Sequence, residues 1–186
     1  MRIVGGDLRG KQINPPANFK ARPTTDFAKE GLFNILSNQY DFNEISVLDL
    51  FSGTGSISFE FASRGCKDIT AVEMNPLHAS FIKSQSAKLL GKGLSIQVVH
   101  HNVFDFLKIC TKKYDLIFTD PPYDLAGFDN VPYKILESDI LADDGLFIFE
   151  HPKDYDFQDS PHFLKERKYG NVHFSFFSKE VQKKGQ

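Results

Sequence analysis

The chain has 186 residues, of which 41% are hydrophobic and 25% charged, a composition typical of one soluble globular domain. Its net charge of −2 excludes a uniformly basic protein, although residues 1–30 carry net +3 and residues 165–186 net +4, which leaves −9 between them. No run approaches the ~18 apolar residues of a membrane span. The N-terminus also lacks an apolar leader, so we expect a cytoplasmic protein with no membrane partner.

The first forty residues predict a small extension before the main fold. Strand-like pieces at 2–6 and 8–13 flank a glycine-rich turn, which favours a β-hairpin. Thr24 or Thr25 then caps a helix that runs to about Ser37. The apolar side of this helix is assigned mostly to Phe27, Leu32, Phe33, Ile35 and Leu36.

From residue 45 onward, strand-like and helix-like segments alternate. The predicted strands are 45–50, 68–73, 94–100, 114–119 and 145–150, and the predicted helices are 56–64, 76–91, 103–110 and about 133–141. Because the strands are almost continuously apolar, this alternation predicts an α/β fold with a doubly wound, mostly parallel sheet. Two final strands, 162–168 and 172–177, are joined by a short turn and predict a C-terminal antiparallel hairpin.

The sequence Asp120-Pro121-Pro122-Tyr123 follows the fourth predicted strand of this sheet directly. Ligands of open α/β sheets bind at the carboxyl ends of the strands. The two prolines stiffen the loop, so that the Pro121 carbonyl can face a ligand beside the anionic Asp120 and the aromatic Tyr123. Two acceptors next to a flat ring suit the exocyclic amino group of a planar base. The structural alternative is a proline-stiffened turn without a function.

A glycine-containing turn, from Asp49 to Gly55, follows the first predicted strand. Glycines allow a tight turn and a close approach to a ligand, and the next helix presents its N–H groups there. This arrangement suits a nucleotide-like cofactor, although many α/β proteins need such a turn for structure alone. Glu73 ends the second strand, 20 residues after Gly53, where a carboxylate can accept hydrogen bonds from both ribose hydroxyls.

The next polar positions suit an adenine ring. Met74 either covers one face of the ring or fills the core. Asn102 can accept a hydrogen bond from the adenine amino group while the Val103 N–H reaches a ring nitrogen; the alternative is that Asn102 only caps the following helix. The neighbouring His100 and His101 point to opposite faces of a strand, so we predict no metal site there.

With these residues assembled, the chain resembles the class I S-adenosylmethionine-dependent methyltransferases. Asp49–Gly55 is similar to their first motif, Glu73 to their ribose-binding acid, and Asp120–Tyr123 to the [Asp/Asn/Ser]-Pro-Pro-[Tyr/Phe] loop of amino-group methyltransferases. That loop does not separate DNA adenine from RNA guanine enzymes.

Four outer segments narrow the resemblance to the RsmD family, whose members methylate the N2 amino group of a guanine in bacterial 16S ribosomal RNA. These segments are Met1–Gly6, Arg9–Lys11, Arg22–Leu36 and Arg167–Gly170. The resemblance implies one methyltransferase domain over 1–186, with 1–40 as an RNA-facing extension and 45–178 as a Rossmann-like core. It further implies S-adenosylmethionine as the cofactor, no metal, and 16S rRNA or the small ribosomal subunit as the partner. We expect a monomer.

The resemblance also assigns roles to individual residues. The catalytic residues it implies are Asp120, Pro121, Pro122 and Tyr123. The implied cofactor contacts are Thr25, Asp49, Phe51, Gly53, Gly55, Glu73, Met74, Asn102 and Val103. The implied RNA contacts are Arg2, Arg9, Lys11, Arg22 and Lys29.

Two positions depart from the usual pattern of the family. Ala28-Lys29 stands where Val-Arg is more usual, which weakens one cationic contact, and Asn102 stands where aspartate is usual. A neutral amide makes weaker hydrogen bonds than a carboxylate. We therefore expect reduced cofactor affinity with the chemistry intact.

Three other functions share part of this pattern. A DNA adenine-N6 methyltransferase shares the catalytic loop but usually needs a target-recognition domain, for which the chain has no spare segment. A nicotinamide dehydrogenase shares the glycine turn, but it has no use for the Asp-Pro-Pro-Tyr loop and Ser58 occupies its third glycine position. A non-catalytic RNA-binding or assembly factor on the same fold stays open.

Overall fold

The computed structural model describes residues 1–19, 24–91 and 94–181, so the predicted RNA contact Arg22 lies outside the described residues. A short 3-10 helix, Phe128–Asn130, precedes the last α-helix. The helices are α1 (Asp26–Ser37), α2 (Ser56–Ser63), α3 (Pro76–Leu89), α4 (Val103–Ile109) and α5 (Val131–Glu137). The strands are β1 (Ser46–Leu50), β2 (Asp68–Glu73), β3 (Ile96–His100), β4 (Tyr114–Thr119), β5 (Leu141–Pro152), β6 (Phe163–Tyr169) and β7 (Val172–Ser178).

The strands form one seven-stranded sheet in the order β3-β2-β1-β4-β5-β7-β6. Strands β1 to β5 pair in parallel, whereas β7 is antiparallel to both β5 and β6. The predicted α/β fold with a mostly parallel sheet and a C-terminal antiparallel pair is therefore confirmed. Strand β1 lies between β2 and β4, so the ends of the strands that carry the predicted motifs are side by side.

Helices cover both faces of this sheet because alternate strand residues point to opposite sides. Val47 and Leu116 belong to a hydrophobic cluster with residues of α1, α2 and α3. Their strand neighbours Leu48 and Ile117 belong to a second cluster with residues of α4 and α5. No helix in the described segments is long and apolar enough to cross a membrane.

The N-terminal hairpin is less regular than the sequence predicts. Its arms share one antiparallel bridge, between Arg2 and Gln12, instead of a continuous ladder. Beyond that bridge, Ile3 and Gly10 still bond within the hairpin, whereas other N–H groups bond to α2: Val4 donates to Glu60 Oε2 at 3.0 Å and Leu8 to Ser63 Oγ at 2.9 Å. The hairpin is thus built onto α2, and the predicted strands give way to a loop held by that helix.

The boundaries around α5 and β5 also differ from the prediction. The helix ends at Glu137 rather than 141, and the strand begins at Leu141 rather than 145. Leu141 pairs with Tyr114, whereas Leu116 pairs with Leu146, so the predicted turn at 142–145 is a bulge inside the strand. The pattern of apolar residues could not reveal a strand that continues through a polar bulge.

Candidate active site

The turn after β1 has a strained backbone. Gly53 and Gly55 have φ of +54° and +77°, and the non-glycine residue Phe51 has φ of +56°. A side chain at Gly55 would place its Cβ 3.0 Å from Ile82 Cγ1. Strain of this kind, at about 1–3 kcal/mol for a residue such as Phe51, clusters at functional sites.

Glu73, at the end of β2, holds this glycine loop in place. Its Oε2 accepts a hydrogen bond from the Gly53 N–H at 2.7 Å, and its Oε1 accepts one from the Asn75 N–H at 2.7 Å. Each carboxylate oxygen has a second acceptor position. Glu73 can therefore accept two ribose hydroxyls while it fixes the loop.

Asp49 supports the loop from beneath, since it is only 2% exposed. One of its oxygens accepts hydrogen bonds from both the hydroxyl and the N–H of Ser58, which ties β1 to α2. Burial raises the pKa of Asp49 to about 7; the hydrogen bonds from Ser58 oppose this rise and the charge of Glu73 adds to it. Asp49 thus contributes a buried carboxyl group beneath the site rather than an open contact surface.

The rim of the crevice carries Met74 and Asn102. Met74 is 62% exposed, which rules out the core-filling alternative. Asn102 caps α4, because its Oδ1 accepts hydrogen bonds from the N–H groups of Phe104 (2.9 Å) and Asp105 (3.3 Å). The cap is therefore present, and the contact of Asn102 with adenine stays a prediction; the N–H of Val103, in the first turn of α4, has no partner within the helix.

The Asp-Pro-Pro-Tyr loop follows β4 and is rigid. The Pro122 carbonyl accepts a hydrogen bond from Leu125 at 2.9 Å, while Pro121 is buried. The ring of Tyr123 packs edge-on against Phe128, with ring centres 6.0 Å apart, and remains 48% exposed. The loop therefore presents an aromatic surface in a fixed position.

Glu150, which the sequence analysis missed, is a fourth carboxyl group of this site, beside Asp49, Glu73 and Asp120. It is 3% exposed, and its Oε2 accepts a hydrogen bond from the Thr24 hydroxyl at 2.8 Å. Burial raises the pKa of Glu150 to about 7. Burial, and then the charges of Glu150 and Asp49, hold the pKa of Asp120 well above its usual range. The signal that could have found Glu150 is the one that identified Glu73: a carboxylate that follows an apolar strand.

The N-terminal extension borders this crevice at two points. Thr25 caps α1, its hydroxyl accepting a hydrogen bond from the Ala28 N–H at 3.2 Å, while Thr24 reaches the end of β5. The Thr54 hydroxyl in the glycine loop donates to the sulfur of Met1 at 3.2 Å. The extension thus borders the glycine loop and the end of β5.

The predicted RNA contacts divide into exposed and buried residues. Arg9 and Lys11 are exposed, and Arg2 is half-exposed with its Nε 3.0 Å from Asp26 Oδ2. The prediction for Lys29 is wrong, because its side chain is 1% exposed and its Nζ donates to the Arg2 carbonyl. Its Nζ also lies 3.9 Å from Glu60 Oε2, and burial lowers the pKa of Lys29 despite that neighbour. It cannot reach an RNA phosphate.

A separate cluster contains His151, Glu166 and His173, whose possible metal-ligating atoms lie within 4.8 Å of one another. These groups form hydrogen bonds with side chains of the same chain: His173 Nδ1 is 2.8 Å from Glu166 Oε1, and His151 Nε2 is 2.8 Å from Ser175 Oγ. Because His151 directly follows Glu150 in β5, it faces the opposite side of the sheet. The cluster is therefore a hydrogen-bonded network away from the crevice.

Comparison with known proteins gives consistent matches over most of the chain. Residues 1–178 match the family model described as "Conserved hypothetical protein 95". The chain is 28% identical to "Ribosomal RNA small subunit methyltransferase D" of Escherichia coli K12 over 98% of the chain and 91% of that protein. It is 31% identical to the protein of the same name from Haemophilus influenzae over 83% of the chain and 80% of that protein. A solved structure from Thermus thermophilus, described as a hypothetical protein, aligns with a TM-score of 0.82 at 28% identity, covering 96% of this chain and 99% of that one.

Proposed function

The chain belongs to the RsmD family, as its motifs predicted, and we propose that it transfers a methyl group from S-adenosylmethionine to the N2 amino group of a guanine in small-subunit ribosomal RNA. One observation carries this proposal. The stiff Asp120–Tyr123 loop after β4 lies next to the strained glycine loop after β1, since these two strands pair directly. A cofactor loop and an amine-binding loop therefore border the same crevice.

The residues of the crevice fit S-adenosylmethionine. Glu73 would accept the ribose hydroxyls, the turn at Gly53 and Gly55 would give the backbone a close approach, and Met74 with the Val103 N–H would contact the adenine. Two buried carboxyl groups, Asp49 and Glu150, lie at the strand ends, and a positive charge nearby would offset the cost of their ionisation. A site of that kind favours a cation. When bound, S-adenosylmethionine supplies an electrophilic methyl group on a positively charged sulfur.

The catalytic loop orients the amine that accepts the methyl group. The Asp120 carboxylate and the Pro121 carbonyl accept hydrogen bonds from N2, which turns its lone pair out of conjugation with the base. The exposed ring of Tyr123 stacks on the guanine, and ~1–3 kcal/mol of stacking offsets much of the few kcal/mol needed to flip a base out. Alignment of this kind lowers the barrier without a metal. Asp120 can also take up the released proton.

The N-terminal hairpin supplies the positive surface for the RNA backbone. Arg9 and Lys11 are exposed on it, and the same hairpin contacts the glycine loop through Met1 and Thr54. Phosphate contacts of this type position a substrate without reading its sequence. Arg2 adds to this surface in spite of its ion pair with Asp26.

The test is methyl transfer from labelled S-adenosylmethionine to unmodified small-subunit particles, naked rRNA and duplex DNA, followed by nucleoside analysis. We expect N2-methylguanosine in rRNA or in particles. N6-methyladenine in DNA, or no transfer to any substrate with the cofactor bound, would contradict the proposal; the latter would favour a non-catalytic assembly role.

The Asp120→Ala variant tests whether the Asp120–Tyr123 loop acts on the substrate amine rather than on the cofactor. We expect this variant to lose methyl transfer and to keep most of its cofactor affinity in calorimetry, because Asp120 contacts the amine rather than the cofactor. Asp124→Ala, an exposed acid just beyond the same loop, is the matched control and should transfer methyl at the normal rate. Equal loss of transfer and of cofactor binding in Asp120→Ala would show that the assigned role is wrong.

A further inference from the structure

We propose that Glu150 is a positioning residue of this site: held by Thr24 and adjacent to Asp120, it sets the pH at which Asp120 becomes the charged acceptor of the substrate amine. This inference rests on the proposed function for its catalytic meaning. Its physical basis, a pair of interacting carboxyl groups, stands independently of that function.

The sheet register brings the two groups together. Strands β4 and β5 are parallel, with Thr119 paired to Phe149; Asp120 directly follows the end of β4, and Glu150 is the next residue of β5. Neighbours in register on paired strands project from the same face of a sheet. Glu150 is 3% exposed, so water screens its interaction with Asp120 very little.

The described groups around Asp120 and Glu150 supply no positive charge to offset the repulsion between the two carboxylates. Asp49 on β1 adds a third carboxylate. On β7, the residue paired with Glu150 is Phe174, and the buried cation of α1, Lys29, is engaged by Asp26 and Glu60. Among the described residues, every charged group that acts on Asp120 is itself an acid.

Two neighbouring carboxyl groups in such a place cannot both ionise readily, and they titrate as a pair. Burial and the charge of Glu150 both raise the pKa of Asp120. The hydrogen bond from Thr24 favours the charged form of Glu150 and so maintains this repulsion. The extension before α1 therefore influences the charge of the catalytic loop through one hydroxyl.

Glu150→Gln tests the pairing because it keeps the shape and removes the charge. The titration of the Asp120 carboxyl is followed by carbon-13 NMR, and the rate of methyl transfer is measured against pH. We expect both the Asp120 titration and the acidic limb of the rate profile to move about one pH unit or more to lower pH. A rate that falls uniformly, with both midpoints unmoved, would overturn the proposal and show a purely structural role.

Thr24→Val provides a second route if Glu150→Gln folds poorly. Loss of the donor raises the pKa of Glu150, which weakens the repulsion, so the Asp120 midpoint should move in the same direction by a smaller amount. Thr24→Ser keeps the hydroxyl and should leave the midpoint unchanged; a Val variant that behaves like the Ser variant would contradict the proposal. Absence of methyl transfer in the wild type, with the NMR shift present, would refute the proposed function and leave the carboxyl pair standing.

Discussion

Replacement of the buried Asp49 by asparagine should stabilise the protein at neutral and alkaline pH. The pKa of Asp49 rises from 3.8 to about 7, chiefly through burial. Between these values the folded protein keeps a proton that the unfolded chain has lost, so the free energy of unfolding falls as pH rises. A shift of about 3 units corresponds to ~4 kcal/mol, the upper bound for the loss above pH 7.

The Asp49→Asn variant avoids this loss because its amide carries no charge, while its oxygen can still accept hydrogen bonds from Ser58. The assay is urea unfolding of both proteins from pH 4.5 to 8. The variant should gain stability over the wild type as pH increases, by up to ~4 kcal/mol at pH 8. A difference that is the same at both ends of the range would refute the raised pKa.

Ser58→Ala is the matched control for this experiment. The hydroxyl of Ser58 donates to Asp49 and holds its pKa down, so its removal should extend the decline in stability to higher pH. A destabilising charge that persists in a folded protein is typical of a functional site. We therefore expect Asp49→Asn to bind S-adenosylmethionine less tightly despite its greater stability.

Two further substitutions test the packing of α1 and the RNA surface. Gly31→Ala should destabilise the protein by ~1–3 kcal/mol because the added Cβ would overlap the Tyr169 ring, although helices usually prefer alanine to glycine. Gly91→Ala, where the Cβ meets open space, is the control and should not lower the stability. Equal melting temperatures of the two variants would contradict the predicted overlap. Lys11→Ala should reduce the slope of log binding constant against log salt concentration for RNA by about 0.7, because one phosphate contact is lost. Lys29→Met should leave this slope unchanged, because Lys29 is buried. The reverse result would show that Lys29 contacts the RNA and Lys11 does not.

Much of the fold and of the crevice could be predicted because the signals are local. An apolar run followed by a glycine turn, or by a carboxylate such as Glu73, specifies a strand end whatever packs around it. The same holds for the prolines after β4, which stiffen the loop by their own covalent geometry. The order of the strands then brings these ends together.

What the sequence analysis missed depends on contacts between distant segments. Lys29 looks like a surface cation until Glu60, from α2, and the Arg2 carbonyl enclose its amine. Phe27 was assigned to the apolar side of α1, yet it is 66% exposed and meets only the edge of Tyr169 among the ring contacts of the described chain. Glu150 is bonded to Thr24, 126 positions away. None of these partners is visible in a window of neighbouring residues.

The sheet order has a consequence for how the molecule forms during synthesis. Strand β7, the last of the described strands in sequence, lies between β5 and β6, so β6 has no partner until β7 has left the ribosome. Tyr169, which packs on α1 at Gly31 and Phe27, belongs to that late pair. A nascent chain can therefore pair its five parallel strands and pack the core side of α1 early, but the side of α1 at Gly31 and Phe27 stays uncovered in the interval between synthesis of β5 and of β7. Chaperone dependence and premature proteolysis should be concentrated in that interval.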